Sequence, residues 1–263
     1  MAKAAWVTGG AGGIGAAVAR RLAAQGYRVL VTDVDVDRGS AVADEVGGVF
    51  RRCDVTDPAD SLAAVAAATD AFGGLDLAFL NAGVATGFGL EEGFSPEAYR
   101  RVMSINLDGV VYGVHAALPA LKARGGGNIV ATASLAGLTA VPFDPIYGAN
   151  KAAVVGLVRA LGPLYAGDGI RVNALCPSFA ETAIIADVRD ALLGAGVPLL
   201  EVSDVVAAFD SILAGSGTGE AWFVQVGRTP EPFAFRNVPG PRTDAGDKAP
   251  SADTSVQAAF REG

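Results

Sequence analysis

Three polar residues in the second half of the chain have the side chains that a proton-transfer site needs. Tyr147 and Lys151 are four residues apart, and Ser134 follows the apolar run 129–131. If residues 147–151 are helical, the phenol and the ammonium lie on one face, one turn apart. An ammonium beside a phenol favours the phenolate and thereby lowers the phenol pKa towards the range of a general acid or base. A lone Tyr–Lys pair at this spacing is more often an ordinary exposed helix face, so the interpretation depends on a second motif.

That second motif is a glycine-rich segment near the N-terminus. Residues 8–15 read TGGAGGIG, after a strand-like run at 4–7 and before an amphipathic segment that reaches about residue 25. The glycines allow a tight turn and bring bare backbone close to a pyrophosphate at a helix N-terminus. Asp33 ends a second strand-like run, at the distance expected of an acid that binds a ribose. The order strand, loop, helix, strand and acid predicts a dinucleotide site.

With these motifs in this order, the chain resembles the short-chain dehydrogenase/reductase family over residues 3 to about 227. The resemblance implies hydride transfer between a nicotinamide and a carbinol carbon, with a tyrosine that exchanges the proton. It implies that an asparagine loosens a long helix to admit a water of the proton relay. The implied catalytic residues are Asn106, Ser134, Tyr147 and Lys151. The implied cofactor contacts are Gly9, Gly13, Ile14, Gly15, Asp33, Asp54, Val55, Asn81, Ala82, Gly83, Tyr147, Lys151, Pro177 and Thr182.

The expected cofactor is NAD, because the Asp33 carboxylate can accept hydrogen bonds from both ribose hydroxyls and would repel a 2′-phosphate. NADP(H) is the alternative, with Arg38 as the nearest cation. A non-catalytic protein that senses a dinucleotide is a second alternative, although such proteins typically lack the Tyr or the Lys.

The expected substrate is a neutral, lipophilic secondary alcohol or ketone, because apolar residues dominate the segments around the expected pocket. They are Leu135, Val141, Pro142, Phe143, Ile146, Phe179, Ile184 and Ile185. The competing interpretation is that these side chains face the core instead.

Composition narrows the class of protein. The chain has 263 residues, is 51% hydrophobic and carries a net charge of −8. It is long enough to bury a sizeable core, and the negative charge argues against nucleic acid or an anionic membrane surface as partner. Two cysteines, Cys53 and Cys176, form no disulfide framework, which favours a reducing, cytoplasmic location. The only histidine, His115, leaves no basis for a His-based triad or a His-rich metal site, and we expect no metal.

Alternation of strand-like and helix-like segments predicts an α/β fold: one doubly wound, Rossmann-type domain with a seven-stranded parallel sheet of order 3-2-1-4-5-6-7 and helices on both faces. Strands are predicted near 4–8, 28–33, 48–53, 75–80, 127–132, 170–175 and 221–226. Helices are predicted near 13–25, 38–46, 58–72, 96–123, 145–166 and 202–214.

Three further expectations concern the parts outside this pattern. Residues 1–227 should form the catalytic domain with a substrate lid at about 178–200, and the Pro-rich extension 228–263 should be partly docked or flexible. Ser178 replaces the Gly that the family usually has after the loop proline, so either the loop is rearranged or the hydroxyl has a use. A homodimer or homotetramer is expected through the helices at about 96–123 and 145–166.

Overall fold

A computed structural model describes residues 2–87, 89–91, 93–236, 239–245 and 247. Among these residues, a sheet of order β3-β2-β1-β4-β5-β6-β7-β8 forms, in which the first seven strands are parallel. The strands are Ala4–Thr8 (β1), Arg28–Asp33 (β2), Val49–Arg52 (β3), Leu77–Leu80 (β4), Gly127–Thr132 (β5), Ile170–Pro177 (β6), Ala221–Val224 (β7) and Glu231–Pro232 (β8). The predicted fold class and the predicted order of seven strands are confirmed.

Helices connect these strands and cover the sheet. They are Gly13–Ala24 (α1), Val36–Glu45 (α2), Pro58–Phe72 (α3), Pro96–Met103 (α4), Gly109–Ala123 (α5), Pro145–Tyr165 (α6), Arg189–Gly194 (α7) and Val202–Ala214 (α8). Short 3₁₀ turns occur at Leu135–Gly137, Ala166–Asp168 and Ala183–Ile185. No helix in the described part of the chain is long and apolar enough to cross a membrane.

Three of these helices begin with the same device. Asp57, Ser95 and Asp144 are the N-caps of α3, α4 and α6, and a proline follows each of them. In each case the side-chain oxygen accepts a backbone N–H of the first turn, and proline occupies the position where no N–H is needed. The start of α6 is therefore fixed by its N-cap Asp144, three residues before Tyr147.

The core lies on both sides of the apolar strands. On one face, α1, α2 and α8 contribute side chains such as Leu22, Val42 and Phe209, all of them buried. Phe79 of β4 meets Phe209 edge to face, with ring centroids 4.9 Å apart. Elsewhere α3 packs against α5 and α6 packs against β6. The strands are thus held rigidly enough for their carboxyl ends to carry a site.

The structure differs from the predicted elements in three places. The predicted helix 96–123 is interrupted by a π-helical segment, Ser104–Asp108, which joins α4 to α5. The predicted lid, 178–200, contains a 3₁₀ turn and the short helix α7, and its two ends are tied by a bridge between Ala180 and Leu200. An eighth strand, β8, adds to the sheet antiparallel to β7.

The chain divides into two compact units, Met1–Phe233 and Ala234–Gly263. The first unit extends past residue 227, because β8 belongs to the sheet. In the second unit, the Thr243 N–H donates to the Asp247 carbonyl at 2.8 Å. Most of the predicted polar tail, residues 248–263, lies outside the described residues.

Candidate active site

The glycine loop connects β1 to α1 and leaves the helix N-terminus open. Gly12 is the N-cap and provides no side-chain cap, and no acidic residue lies in the first turn. Gly9 has a φ of 62°, and a Cβ on Gly15 would lie 2.0 Å from the Gly9 carbonyl oxygen. Side chains are therefore excluded from the loop, and backbone N–H groups of α1 remain without a side-chain partner. This arrangement fits an anionic pyrophosphate.

Asp33 lies at the end of β2, beside this loop. Its Oδ2 accepts the Ala11 N–H at 3.0 Å, and its Oδ1 accepts the Asp35 N–H at 3.0 Å. Each carboxylate oxygen is thereby fixed by one backbone donor and keeps lone pairs for a further donor. The group is half-buried, so a bound hydroxyl can reach it from solvent.

A chain of hydrogen bonds joins the glycine loop to the middle of the sheet. The Thr8 hydroxyl oxygen accepts the N–H groups of Asn81 and Ala82, at 2.9 Å and 3.1 Å. The Asn81 side chain accepts the Thr132 hydroxyl at 3.0 Å and donates to the Thr8 and Gly9 carbonyls, at 3.3 Å each. Three parallel strands, β1, β4 and β5, are cross-linked in this way at their carboxyl ends.

Asn106 lies in the π-helical segment and is fully buried. Its Oδ1 accepts the Val84 N–H at 2.8 Å, and its Nδ2 donates to the Val84 carbonyl at 2.9 Å. This pair of bonds ties the widened helix to the loop after β4. A Cβ on Gly83 would lie 3.3 Å from Asn106 Oδ1 and 3.7 Å from Lys151 Nζ. Gly83, Asn106 and Lys151 therefore meet at one place.

The remaining predicted catalytic side chains converge on the same edge of the sheet. Lys151 Nζ donates to the Thr132 carbonyl at 3.0 Å and lies 5.7 Å from the Tyr147 ring centroid. The Ser134 side chain is close enough to the Tyr147 phenol to lower its pKa. The Ser134 hydroxyl also lies 3.4 Å from the Pro177 carbonyl oxygen. A hydroxyl, a phenol and an ammonium are thus arranged around one point at the ends of β5 and β6.

The other predicted cofactor residues differ in their surroundings. Asp54 accepts the Thr56 N–H and hydroxyl, at 3.0 Å and 2.8 Å, and these bonds lower the pKa of its carboxyl. Val55 is buried. A Cβ on Gly13 would lie 3.3 Å from the Thr182 methyl group, so the start of the lid borders the loop. Ile14, the residue after Gly13, is partly buried against the core.

Comparison with known proteins agrees with this geometry. The family model for short chain dehydrogenases matches residues 3–192. The chain belongs to the short-chain dehydrogenase/reductase family. It is an oxidoreductase of CH–OH groups, and its family uses a nicotinamide cofactor.

Individual relatives share most of their length with this dehydrogenase/reductase. A cyclohexanol dehydrogenase of Acinetobacter sp. (strain SE19) is 38% identical over 233 residues, covering 84% of this chain and 93% of the relative. A 3-alpha-(or 20-beta)-hydroxysteroid dehydrogenase of Mycobacterium bovis is 34% identical, covering 86% and 89%. The crystal structure of a 3-ketoacyl-(acyl-carrier-protein) reductase from Brucella melitensis complexed with NADH superposes with a TM-score of 0.79 at 31% identity, covering 86% and 98%.

Burial governs the proton affinities in this short-chain dehydrogenase/reductase. It lowers the pKa of the Lys151 ammonium to about 8, and it raises the pKa of the Tyr147 phenol, an effect that the Ser134 hydrogen bond opposes. The net direction of the Tyr147 pKa is therefore upward, opposite to the lowering expected from Lys151, which is not among the causes of the shift. Burial also raises the pKa of Cys176, a neighbour of Lys151, to about 12, so this thiol stays neutral.

Ser178 occupies an ordinary backbone conformation. Among the described residues, none other than glycine has a positive φ. The Ser178 N–H donates to the Val224 carbonyl at 2.9 Å and so continues the pairing of β6 with β7. The loop therefore accommodates a Cβ after Pro177 without strain.

The eight apolar residues expected around the pocket fall into three groups. Ile146 and Ile185 are buried, Pro142, Phe143 and Ile184 are exposed, and Leu135, Val141 and Phe179 are half-buried. The core interpretation holds for the first group. A separate groove of about 570 Å³ runs along residues 136–142 and α6, and none of the four predicted catalytic residues lines it.

The sequence predictions missed three residues that position this site. Thr8 and Thr132 link β1, β4 and β5 through Asn81, and Asp144 caps the helix that carries Tyr147. Thr132 follows an apolar run, and Asp144 precedes a proline. Thr132 was therefore visible as the end of a strand, and Asp144 as the start of a helix.

Burial of the Lys151 ammonium should lower the free energy of unfolding, although the ammonium is needed for the proposed activity. The Lys151 pKa of about 8 lies below its usual 10.5, so the unfolded chain binds more protons between these values. The burial penalty is therefore complete below the lower value and fades as the pH rises to the higher one. We expect Lys151→Met to raise the free energy of unfolding at neutral pH by about 1–3 kcal/mol and to abolish turnover.

Urea unfolding at neutral pH and near the usual lysine pKa measures this effect, with the gain shrinking at the higher pH. Lys122→Met, at a residue whose side chain is 45% exposed and pairs with Asp168, is the control. It should change stability by no more than about 0.5 kcal/mol. A less stable Lys151→Met protein at neutral pH would contradict the prediction.

Proposed function

We propose that this protein is an NAD(H)-dependent oxidoreductase that transfers a hydride between nicotinamide and a neutral, lipophilic secondary alcohol or ketone. The observation that carries the chemistry is the convergence of Ser134, Tyr147 and Lys151 at the carboxyl ends of β5 and β6. A cofactor held by the glycine loop supplies the hydride chemistry when it is bound.

Each residue of this site has one proposed role. Ser134 binds and orients the substrate oxygen through its hydroxyl. Tyr147 gives a proton to that oxygen in reduction and takes one from it in oxidation, as a general acid and base. Lys151 has further ammonium protons beyond the one given to the Thr132 carbonyl, and these can reach a ribose hydroxyl. Asn106 holds the widened helix open beside Gly83, next to the ammonium.

The glycine loop and its surroundings form the proposed cofactor site. Gly9, Gly13 and Gly15 leave the backbone bare for the pyrophosphate, and Asp33 receives the ribose hydroxyls. Asp54 and Val55 lie where we propose the adenine contacts, and Asn81, Ala82, Gly83, Pro177 and Thr182 border the path towards the nicotinamide.

The proposed substrate class rests on the apolar residues that remain accessible and on the relatives. Ile184 of the lid is 45% exposed and Phe143 is 77% exposed. Contact with such residues rewards hydrocarbon at roughly 25 cal/mol per Å² of buried surface and penalises an unpaired charge. The cyclohexanol and hydroxysteroid dehydrogenases named above act on alicyclic alcohols by their names. A neutral alicyclic alcohol is therefore our first choice.

The test of this function compares two matched substrate series. We expect kcat/KM to rise from cyclohexanol to larger alicyclic secondary alcohols and to be lower for polyols of equal carbon number. Tyr147→Phe keeps the ring and removes the transferable proton, so turnover should fall by about 10²–10⁴-fold while NADH still binds.

Higher efficiency with the polyols would refute the lipophilic class. Binding of NADH without turnover of any alcohol or ketone would favour the alternative of a dinucleotide-sensing protein. Residual activity of Tyr147→Phe above about a tenth would require another acid.

Cofactor choice gives a separate prediction. The fixed Asp33 carboxylate favours two ribose hydroxyls over a 2′-phosphate, which carries close to two negative charges. Arg38 favours the NADP(H) alternative, because its guanidinium lies 4.0 Å from a Cβ placed on Gly12. However, its Nε is 2.7 Å from Asp35 Oδ2, so part of its charge is already matched.

We expect a clear preference for NADH over NADPH in kcat/KM, reversed or lost in the double variant Asp33→Ala with Val34→Arg. Arg38→Ala is the matched control and should leave NADH use unchanged. Equal or better efficiency with NADPH in the unmodified protein would contradict the preference, and a selective loss of NADPH use in Arg38→Ala would identify the cation responsible.

We also propose self-association through the outer face of α6, together with the helices α4 and α5. Ala152, Ala153, Gly156 and Ala160 of α6 are exposed, and a Cβ on Gly156 would meet nothing within 4 Å. Gly162 differs, because a Cβ there would lie 2.2 Å from the Gly219 nitrogen. Four of the five small residues are thus free for close approach between two copies, and one packs the helix within its own chain.

A cytoplasmic location remains a prediction from the two cysteines.

Light scattering at micromolar concentration tests the assembly. We expect a dimer or tetramer that Ala153→Arg dissociates, because an arginine cannot fit between closely packed helices. Ala66→Arg, at an exposed position of α3, should leave the assembly intact. A fully active monomer would overturn this proposal.

A further inference from the structure

Asp144 binds directly to the backbone of the residue proposed as acid and base. Its Oδ1 accepts the Tyr147 N–H at 3.0 Å and so closes the first turn of α6. Asp144 itself is anchored, because its N–H donates to the Val141 carbonyl at 3.1 Å. Its carboxylate forms no salt bridge in the described part of the chain. A cation does not neutralise it by direct contact.

The Asp144 carboxylate also acts on the phenol through its charge. After burial and the Ser134 hydrogen bond, the Asp144 charge is a further cause that shifts the Tyr147 pKa, and it raises that pKa. No other acid lies in the first turn of α6. Among the causes of the Tyr147 shift, Asp144 is the only charged group. The other titratable side chains of α6 and of the elements packed against it are Lys151, Arg159, Tyr165, Asp108, Asp168, Arg171 and Cys176.

We propose that Asp144 is a positioning residue with two separable effects on Tyr147: its cap holds the tyrosine backbone, and its negative charge keeps the phenol protonated over a wider pH range. This inference rests on the proposed function, in which Tyr147 exchanges the substrate proton. It assigns a specific task to a residue outside the proposed catalytic set.

The sign of the effect follows from electrostatics. A helix N-terminus favours negative charge, so it would stabilise a phenolate in its first turn. The Asp144 carboxylate opposes that stabilisation by like-charge repulsion. Alcohol oxidation needs the phenolate, so the carboxylate moves the rise of oxidation to higher pH. Ketone reduction needs the phenol, so the same carboxylate extends reduction to higher pH.

Substitutions separate the cap from the charge. Asn and Ser are good N-caps without charge, whereas Ala provides neither the cap nor the charge. We expect Asp144→Asn and Asp144→Ser to shift the rising limb of kcat/KM for alcohol oxidation to lower pH. At pH values on the acidic side of this limb, kcat/KM of these two variants should exceed that of the unmodified protein about two- to fivefold. This is the range of a single charge at a helix N-terminus. Asp144→Ala should show the same shift together with a lower kcat and a lower Tm.

Two controls make the test decisive. Asp70→Asn removes one exposed acid of α3 and should leave the pH profile unchanged. The phenolate absorbance of Tyr147, measured without substrate as the difference between each protein and its Tyr147→Phe counterpart, should titrate at lower pH in Asp144→Asn. This second measurement decides the inference even if no alcohol or ketone is turned over.

An Asp144→Asn profile and phenolate titration that coincide with those of the unmodified protein would overturn the proposal. So would a shift of equal size in Asp70→Asn, because the effect would then be one of net charge. A fall in kcat in all three Asp144 variants without any shift would reduce the residue to a helix cap and would also refute the inference.

Discussion

The site depends on the hydrogen bonds that cross the carboxyl ends of β1, β4 and β5. Thr8 accepts from the start of the loop after β4, Asn81 accepts the Thr132 hydroxyl, and the Thr132 carbonyl accepts the Lys151 ammonium. The glycine loop and helix α6 are far apart in sequence, yet these few bonds connect them. The chain of bonds fixes the distance between the place where a pyrophosphate can bind and the place where a proton can move.

A second constraint is the burial of two polar side chains at this edge of the sheet. Lys151 is only 3% exposed, and Asn106 is fully buried. Both side chains lose hydration on burial. The Thr132 carbonyl compensates Lys151 with a hydrogen bond, and the Val84 backbone compensates Asn106 with two. The π-helical segment matters here, because its wider turn turns Asn106 inward against the loop after β4. The fold thus carries polar groups in its interior at the proposed site, at a cost to stability.

The sequence predicted most of the framework because its signals are local. Alternating apolar runs and capped helices identified seven strands and their order, and the proline after Ser95 identified the start of α4. Strand β8 was missed, since Glu231 and Pro232 show no apolar alternation and pair only because β7 presents an open edge. The direction of the Tyr147 pKa was also missed. Its spacing from Lys151 was visible in the sequence, whereas its burial depends on packing that no local pattern shows.

Helix α6 links the chemistry to the proposed assembly. Lys151 is buried under its inner face, while Ala153 and Gly156 are exposed on its outer face. Near its end, Gly162 packs so closely on Gly219 that any side chain would push the helix away from β7. Its N-terminus is fixed by the Asp144 cap and its C-terminal half by this glycine contact. A helix held at both ends keeps Tyr147 and Lys151 in a constant position relative to the sheet.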